Sequence, residues 1–335
     1  MGHHLNNKTI LVTGGTGSFG KAIIKKIFKC SKPKKVIVFS RDELKQFEMS
    51  NEVGLVGNAK LRYFIGDVRD LTRVKLALRE VDIVIHAAAL KQILTAEYNP
   101  IEAIKTNIIG AQNIIEASLD STVQKVIALS TDKAVDPINL YGATKLAADK
   151  LFIAANNLVG KKKLHFSVVR YGNVVGSRGS VLPFFKKLID EKSNFLPITD
   201  KKMTRFFITL NQATAFVINS LNLMSGGEIF VPKTPSAKII DLALALKKEN
   251  QKIKITGIRP GEKLHEILIS NSTIQEMYEF KDFFILLPEI KFFNYNQKNI
   301  SKLKYKKIKG NFSYASDSNE KFLNKKEILK LVNFE

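Results

Sequence analysis

The sequence predicts an α/β protein: a Rossmann-type, doubly wound parallel sheet carrying a smaller, mixed α/β substrate-binding lobe toward its C-terminus. Three observations predict it. Short apolar runs alternate with amphipathic stretches through the first half, the signature of parallel strands joined by helical crossovers. A glycine-rich turn stands between the first apolar run and the first amphipathic stretch, where a helix N-terminus can receive a phosphate. After Tyr171 the alternation loosens, and Gly and Pro punctuate 172–183, 226–235 and 257–261, as in loops gathered around a site.

Taken in order, residues 9–12, 35–39, 61–65, 83–86 and 125–129 read as buried strands, and 164–170 as a sixth. Residues 19–28, 74–78, 100–118 and 141–157 carry helical spacing between them, and right-handed crossovers place the strands in one parallel sheet. This assigns 1–171 to the nucleotide-binding domain, with 202–232 returning to it. Residues 172–201 and 233–335 form the substrate-binding lobe and a C-terminal extension. The polar stretch 294–310 is expected to be mobile.

At 335 residues the chain is long enough for two lobes around a large core. A single cysteine, Cys30, excludes a disulfide framework and any cysteine-rich zinc site. The apolar run from Ile10 is broken at Gly14 and Gly15, far short of a membrane span, and no signal peptide is legible. A cytoplasmic protein with no membrane partner is expected. The net charge of +22 raises nucleic acid as a partner. The lysines are scattered, though, and the basic last 45 residues, with 11 Lys against 4 Asp or Glu, carry no nucleic-acid-binding motif. A solvated surface is the expectation, and no nucleic-acid partner.

The glycine turn reads Thr13-Gly14-Gly15-Thr16-Gly17-Ser18-Phe19-Gly20. Gly14 permits a tight turn, Gly17 lets backbone approach a pyrophosphate, and Gly20 lets helix pack on strand. Thr13, Ser18 and Phe19 belong to the same cradle. The second strand ends at Ser40-Arg41-Asp42. NAD-selective sites place a carboxylate about 20 residues after the glycines; a hydroxyl and a guanidinium there suit a 2′-phosphate, so NADP is favoured. Asp42 keeps NAD open, and Lys45 is either a second phosphate partner or a solvated helix residue. Asp67 and Val68 follow the third strand and suit an adenine. Ala87, Ala88 and Ala89 follow the fourth and let a cofactor lie against backbone.

The densest chemistry is Thr131-Asp132-Lys133 followed by Tyr141 and Lys145. Tyr141 and Lys145 are four apart on a helix and share a face. A nearby ammonium lowers a phenol's pKa and lets it take an alcohol proton as hydride leaves; Lys145 also suits the nicotinamide ribose.

The ordered motifs TGGTGSFG, GDVRD, HAAA, STDKAV, YGATK, RYGNVVGSRGSV and GIRPGEKLHE resemble the extended short-chain dehydrogenase/reductase family. Within it, SRDELKQFEM, STDKA and RYGNVVGSRGSVLPFF look like the inverting UDP-N-acetylglucosamine 4,6-dehydratases of pseudaminic acid biosynthesis, which supply flagellin or surface glycans. The resemblance runs from Lys8 to Ile269 and again through 312–314. It implies that Thr131 bonds the sugar 4-oxygen, that Asp132 protonates the departing 6-hydroxyl, and that Lys133 stands where retaining relatives carry a Glu that removes the C5 proton. A lysine is a base only if burial or a neighbouring cation lowers its pKa; simple pairing with Asp132 is the other reading. The resemblance also implies substrate contacts from Asn173 and Val174, and a diphosphate loop at Ser177, Arg178, Gly179, Ser180 and Val181. Arg259 suits a bidentate phosphate contact and Glu262 the uridine ribose, with Thr204 and Arg205 adding a cation. Lys91 faces the cofactor phosphates or the sugar, or is a surface lysine. His265 and Glu266 have no further ligand at useful spacing, so no metal is expected. A UDP-sugar substrate and a homo-oligomer, a hexamer being one form, are implied.

Two other readings share parts of this pattern. A nucleotide-sugar 4-epimerase or reductase needs the glycines, Tyr141 and Lys145 but not Asp132 beside Lys133. A non-catalytic NADP-binding regulator would be marked by loss of one of these side chains, and none is lost.

Overall fold

Each apolar run of the first half becomes a strand of one sheet in the computed structural model, which describes residues 2–177, 179–272, 276–289, 299–308 and 310–333. The strands are β1 (Thr9–Thr13), β2 (Lys35–Ser40), β3 (Leu61–Ile65), β4 (Ile83–His86), β5 (Lys125–Thr131) and β6 (His165–Tyr171). With β10 (Ile229–Pro232) they lie in the order β3-β2-β1-β4-β5-β6-β10, all parallel. The chain winds outward from β1 in one direction and from β4 in the other. A crevice therefore opens beyond the strand C-termini at the β1/β4 switch point.

Helices cover both faces because both faces are apolar. On one side α1 (Ser18–Cys30) packs against α9 (Leu210–Leu223), with Ile23, Ile24 and Ile27 meeting Val217, Ile218 and Leu221. On the other lie α3 (Leu71–Ala77), α6 (Gly110–Leu119) and α7 (Leu140–Ala154), burying Val74, Ile114 and Phe152. The helix expected over 100–118 is interrupted. It runs as α5 (Pro100–Ile104), a π-helical turn (Lys105–Ile109) and then α6. The turn aims Asn107 inward: it accepts from Leu90 N–H at 2.8 Å and donates to Leu90 C=O at 2.9 Å and to Thr144 at 3.0 Å. A π-turn at such a place serves position rather than propensity; here it ties the loop after β4 to the helix bearing Tyr141. Two short helices, α2 (Glu43–Ser50) and α4 (Ile93–Tyr98), were not legible as periodic stretches.

The smaller lobe has its own core, with Leu182, Phe185, Leu196, Ile198, Phe207, Leu242 and Ile328 buried together. It comprises α8 (Val181–Asp190), α10 (Ile239–Leu246), α11 (Lys325–Asn333) and three small sheets: β7 (Asn173–Val174), β9 (Thr204–Ile208) and β11 (Ser236–Lys238); β8 (Phe195–Ile198) with β12 (Lys252–Ile255); and β13 (Ile267–Ile269) with β17 (Tyr314–Ala315). The division differs from the sequence reading in two places. Residues 204–208 stay in the small lobe, and only α9 and β10 return to the main sheet. Residues 277–286 and 306–308, expected in the lobe, extend the main sheet instead as β15 (Phe283–Leu286), β14 (Met277–Glu279) and β16 (Lys306–Ile308), all antiparallel. The apolar run Phe283–Leu286 is buried on both faces against β10, which a solvent-facing extension could not achieve. Of the polar stretch 294–310, residues 306–308 form that edge strand, while 294–298 and 309 lie outside the described residues. Among the described residues no helix is long and apolar enough to cross a membrane.

The glycine turn fits its place sterically. Gly14 has φ +63°, and a Cβ on Gly20 would stand 2.5 Å from the carbonyl oxygens of both Gly14 and Gly15. Gly20→Ala should therefore push α1 off the strand end, costing about 1–3 kcal/mol and weakening dinucleotide binding. Denaturant titration and cofactor titration check this; a variant as stable as the parent contradicts it.

Candidate active site

A cleft of about 760 Å³ opens at the switch point, between the strand ends of the large sheet and the loops of the small lobe. Gly14, Gly17, Ser18, Phe19 and Gly20 line one wall, at the N-terminus of α1. Gly17, the N-cap of α1, contributes no capping side chain, so the end of the helix presents bare backbone to the cleft. Thr13 does not line it. Fully buried, its hydroxyl accepts from Ala87 N–H at 3.0 Å and Ala88 N–H at 3.1 Å, and lies 2.9 Å from His86 Nδ1. With both acceptances used, the hydroxyl donates to His86. Thr13 thus pins β1 to β4 at the floor of the crevice instead of touching a ligand.

At the end of β2, Ser40 is buried, and its oxygens accept from the Gln46 amide at 3.0 and 3.1 Å. Asp42 caps α2, accepting Lys45 N–H at 3.0 Å, and pairs with the Lys45 ammonium. Both line the cleft, and their ion pair is solvent-accessible there. Arg41 is exposed at the cleft wall, 3.5 Å from Asp67. Burial works against the Asp67 carboxylate, but hydrogen bonds and charge from Arg69, with Arg41 beyond, hold its pKa below the usual range. Val68, Ala87, Ala88 and Ala89 line the floor, and Lys91 stands at the rim, where partial desolvation lowers its ammonium pKa.

The acid–base residues converge at the C-terminus of β5. Asp132 is fully buried. Its Oδ1 accepts from the Thr131 hydroxyl at 2.8 Å and from Lys133 Nζ at 3.0 Å, while its Oδ2 has no hydrogen-bond partner among the described residues. Lys133 Nζ also lies 3.1 Å from Glu266 Oε1. Burial opposes its charge, yet the carboxylates of Asp132 and Glu266 more than compensate and raise its pKa. The condition for a base is therefore not met at rest, and the pairing with Asp132 is what the geometry shows: Lys133 stands here as an ammonium in an ion cluster. Tyr141 is buried, which pushes its phenol up to about 12, while Lys133 and a hydrogen bond with Thr131 pull the other way. The cation that favours its phenolate is therefore Lys133, although Lys145 was expected in that role. Burial lowers the pKa of Lys145, with Asp149 opposing.

Sequence reasoning missed two buried supports. Asp149 accepts from Ser130 at 2.7 Å and pairs with Arg170 at 3.3 Å beneath Lys145; an acid four residues after Lys145 in a largely apolar helix was the available signal. Glu266, 1% exposed, stands just before the apolar run Ile267–Ile269, and was weighed only as a metal ligand with His265.

From the small lobe, Asn173, Val174, Ser177, Gly179, Ser180, Arg259 and Glu262 line the cleft. Arg178 lies outside the described residues. Val181 opens α8 and packs toward the lobe's own core. Thr204 and Arg205 are corrections. Both are buried: Thr204 bonds His265 Nδ1 at 2.8 Å and Ser316 at 2.7 Å, while Arg205 donates to the carbonyls of Thr204, Lys263 and Leu264. Arg205 stands 3.6 Å from Glu262 and 3.7 Å from Glu266. It is used up shaping the 262–266 segment and cannot reach a diphosphate.

Comparison with known proteins adds four likenesses. The family described as "Polysaccharide biosynthesis protein" matches residues 10–288. The chain is 57% identical over 332 residues to the inverting UDP-N-acetylglucosamine 4,6-dehydratase of Campylobacter jejuni subsp. jejuni serotype O:2, covering 98% of each chain. It is 40% identical over 338 residues to the UDP-glucose 4-epimerase of Rickettsia bellii, covering 97% of this chain and 95% of that one. Among solved structures, Pen from Bacillus thuringiensis matches with a TM-score of 0.88 at 38% identity, covering 98% of both chains.

The floor of the crevice carries a pH signature. Burial, then the nearby Lys145, lowers the His86 pKa from 6.5 to about 3. The unfolded chain binds this proton first as pH falls, so stability is full above pH 6.5 and is lost toward pH 3, by up to about 1.4 kcal/mol per unit. His4, lowered to about 4 by burial, adds to the same window. His86→Gln should flatten the urea midpoint's dependence on pH between about 6.5 and 4. An unchanged slope contradicts this account of the floor.

Proposed function

The chain belongs to the polysaccharide biosynthesis protein family, within the extended short-chain dehydrogenases/reductases, and from that premise we propose that it is an NADP-dependent, inverting UDP-N-acetylglucosamine 4,6-dehydratase. The observation that carries the reading is the buried Asp132–Lys133 pair, 3.0 Å apart, beside Tyr141. Removing C5–H while a C6 oxygen departs needs a base and an acid next to the oxidising residue. A 4-epimerase handles neither atom. The epimerase relative keeps that second reading open to test, since the two share Tyr141 and Lys145.

The residues present fit a dinucleotide. Side chains at Gly14 and Gly20 would collide with backbone at 3.0 and 2.5 Å, so the strand–helix turn that cradles a pyrophosphate is made of the residues it requires. Arg41, exposed on the cleft wall at the end of β2, supports NADP over NAD. When bound, the nicotinamide accepts hydride from C4 and returns it to C6. Tyr141, as the phenolate that Lys133 favours, takes the 4-hydroxyl proton, with Thr131 bonding the same oxygen. Asp132, once protonated, gives that proton to the C6 oxygen; its Oδ2 is the oxygen not already engaged by Thr131 and Lys133. Thr131, hydrogen-bonded to both Tyr141 and Asp132, lies on the route by which the proton gained from O4 reaches the Asp132 carboxylate before O6 takes it. Lys133, as the amine, removes C5–H, and a proton returns to the opposite face. Water is lost with no net oxidation, a lyase reaction giving UDP-2-acetamido-2,6-dideoxy-β-L-arabino-hex-4-ulose. Asn173, Val174 and Ser177 to Ser180 hold the sugar and diphosphate, with Arg259 on phosphate and Glu262 toward the ribose. We place the enzyme in the cytoplasm as a homo-oligomer, at the first step of pseudaminic acid synthesis.

Incubation with UDP-N-acetylglucosamine in D2O, read by NMR, should give a 6-deoxy-4-keto sugar with deuterium at C5 and inverted C5 configuration. An unchanged C6 sinks the dehydratase reading, and a C4 epimer establishes the alternative. Lys133→Ala should bind cofactor normally yet lose C5 exchange by at least about a hundredfold. Arg41→Ala should weaken NADP by about tenfold or more, the loss of one charge-assisted contact, with NAD nearly unaffected; equal losses for both would contradict the NADP assignment.

A further inference from the structure

Lys133 presents a difficulty for any reaction in which it is a base. Its ammonium is held between two carboxylates, Asp132 at 3.0 Å and Glu266 at 3.1 Å, and in that state it has no lone pair to offer. We propose that Glu266 is a positioning residue for the C5 step: it holds Nζ from the side away from Asp132 and takes up the proton that Lys133 must lose. The proposal rests on the dehydratase reading above.

Glu266 suits this part by its surroundings. It is 1% exposed, and its Oε2 has no hydrogen-bond partner among the described residues, so its anion is poorly solvated. Burial, and then the charge of Asp132, raise its pKa, with Lys133 and Arg205 opposing. Its backbone is fixed. Glu266 N–H donates to Ser316 Oγ at 2.9 Å, Ser316 N–H donates to Glu266 C=O at 2.8 Å, and β13 begins at the next residue, paired with β17. The charged and titratable groups around it are Asp132 and Lys133 after β5, Tyr141 on α7, Arg205 on β9, and Glu262, Lys263 and His265 on its own segment.

The proton inventory closes. An Nζ–H bond of Lys133 breaks and an O–H bond forms on Glu266, converting ammonium and carboxylate to amine and carboxylic acid with no change in net charge. That exchange removes a buried carboxylate charge together with the half-buried ammonium beside it. The amine takes the C5 proton and is again an ammonium, while the C5–H electron pair becomes the C5–C6 double bond as the C6 oxygen leaves. Glu266 then loses its proton to solvent as C5 gains one from solvent, and the starting charges return.

The test compares Glu266→Gln and Glu266→Asp with the wild type, reading C5 deuterium exchange, transient nicotinamide reduction and KM for UDP-N-acetylglucosamine across pH 6 to about 10. Gln keeps size and a hydrogen bond but cannot accept the proton. E266Q should reduce nicotinamide with KM nearly unchanged, lose C5 exchange about a hundredfold near neutral pH, and recover as pH rises and solvent deprotonates Lys133. E266D should retain most exchange with the flat profile of the wild type. Equal rates and profiles for E266Q and wild type overturn the proposal. So does parallel loss of KM, nicotinamide reduction and melting temperature in both variants, which marks a structural role. A wild type that makes no 6-deoxy-4-keto sugar sinks the dehydratase reading itself, independently of how the variants behave.

Discussion

One half-buried ammonium between two buried carboxylates is the constraint on which the rest of the site depends. Lys133, Asp132 and Glu266 are tied to the ends of different elements, and Arg205 approaches Glu266 from a third strand. Isolated, each charge would be expelled from such an interior; together they are tolerated because every one meets an opposite charge. The small lobe thereby supplies half of an acid–base cluster whose other half stands on the large sheet. This explains why Thr204, Arg205 and Ser316, none of which reaches the cleft, are buried polar residues with full hydrogen-bond duties. They fix the segment that carries Glu266 and the cleft-lining Glu262.

The large sheet contributes position. Its strand order reverses at β1 and β4, and the floor there is closed by Thr13, whose hydroxyl gathers two backbone amides and His86. Tyr141 and Lys145 descend on α7, and the π-turn before α6 clamps that helix to the loop after β4 through Asn107. Burial raises the phenol of Tyr141 and lowers the ammonium of Lys145, so each is poised away from its solution behaviour. Fold alone would allow many reactions; the cluster beside Tyr141 narrows them.

Much of this was legible in the sequence, and for physical reasons. Five of the six parallel strands announce themselves because strands buried on both faces must be continuously apolar, whereas β3, read as buried, is an edge strand buried only at Leu61; the glycine turn announces itself because backbone contacts at 2.5 to 3.0 Å admit no side chain. Asp132, Lys133, Tyr141 and Lys145 were found through local spacing. What spacing cannot carry is pairing between distant segments. Glu266 is 133 positions from Lys133, and Arg205 reads as a phosphate ligand because the carbonyls that engage it, those of Lys263 and Leu264, lie far along the chain. The antiparallel extension β14–β16 is illegible for the same reason: β15 is placed by pairing with the distant β10, and β14 and β16 add outward from it. Surface charge was a weaker guide, since the +22 balance fits a diphosphate substrate without specifying one.

The central claim is that oxidation at C4 and loss of the C6 oxygen belong to one turnover in one cleft. UDP-N-acetylglucosamine carrying deuterium at C4 tests it most directly. The account predicts a single deuterium in the C6 methyl group of the product, with C5 drawn from solvent. Deuterium retained at C4, or washed out altogether, would contradict it.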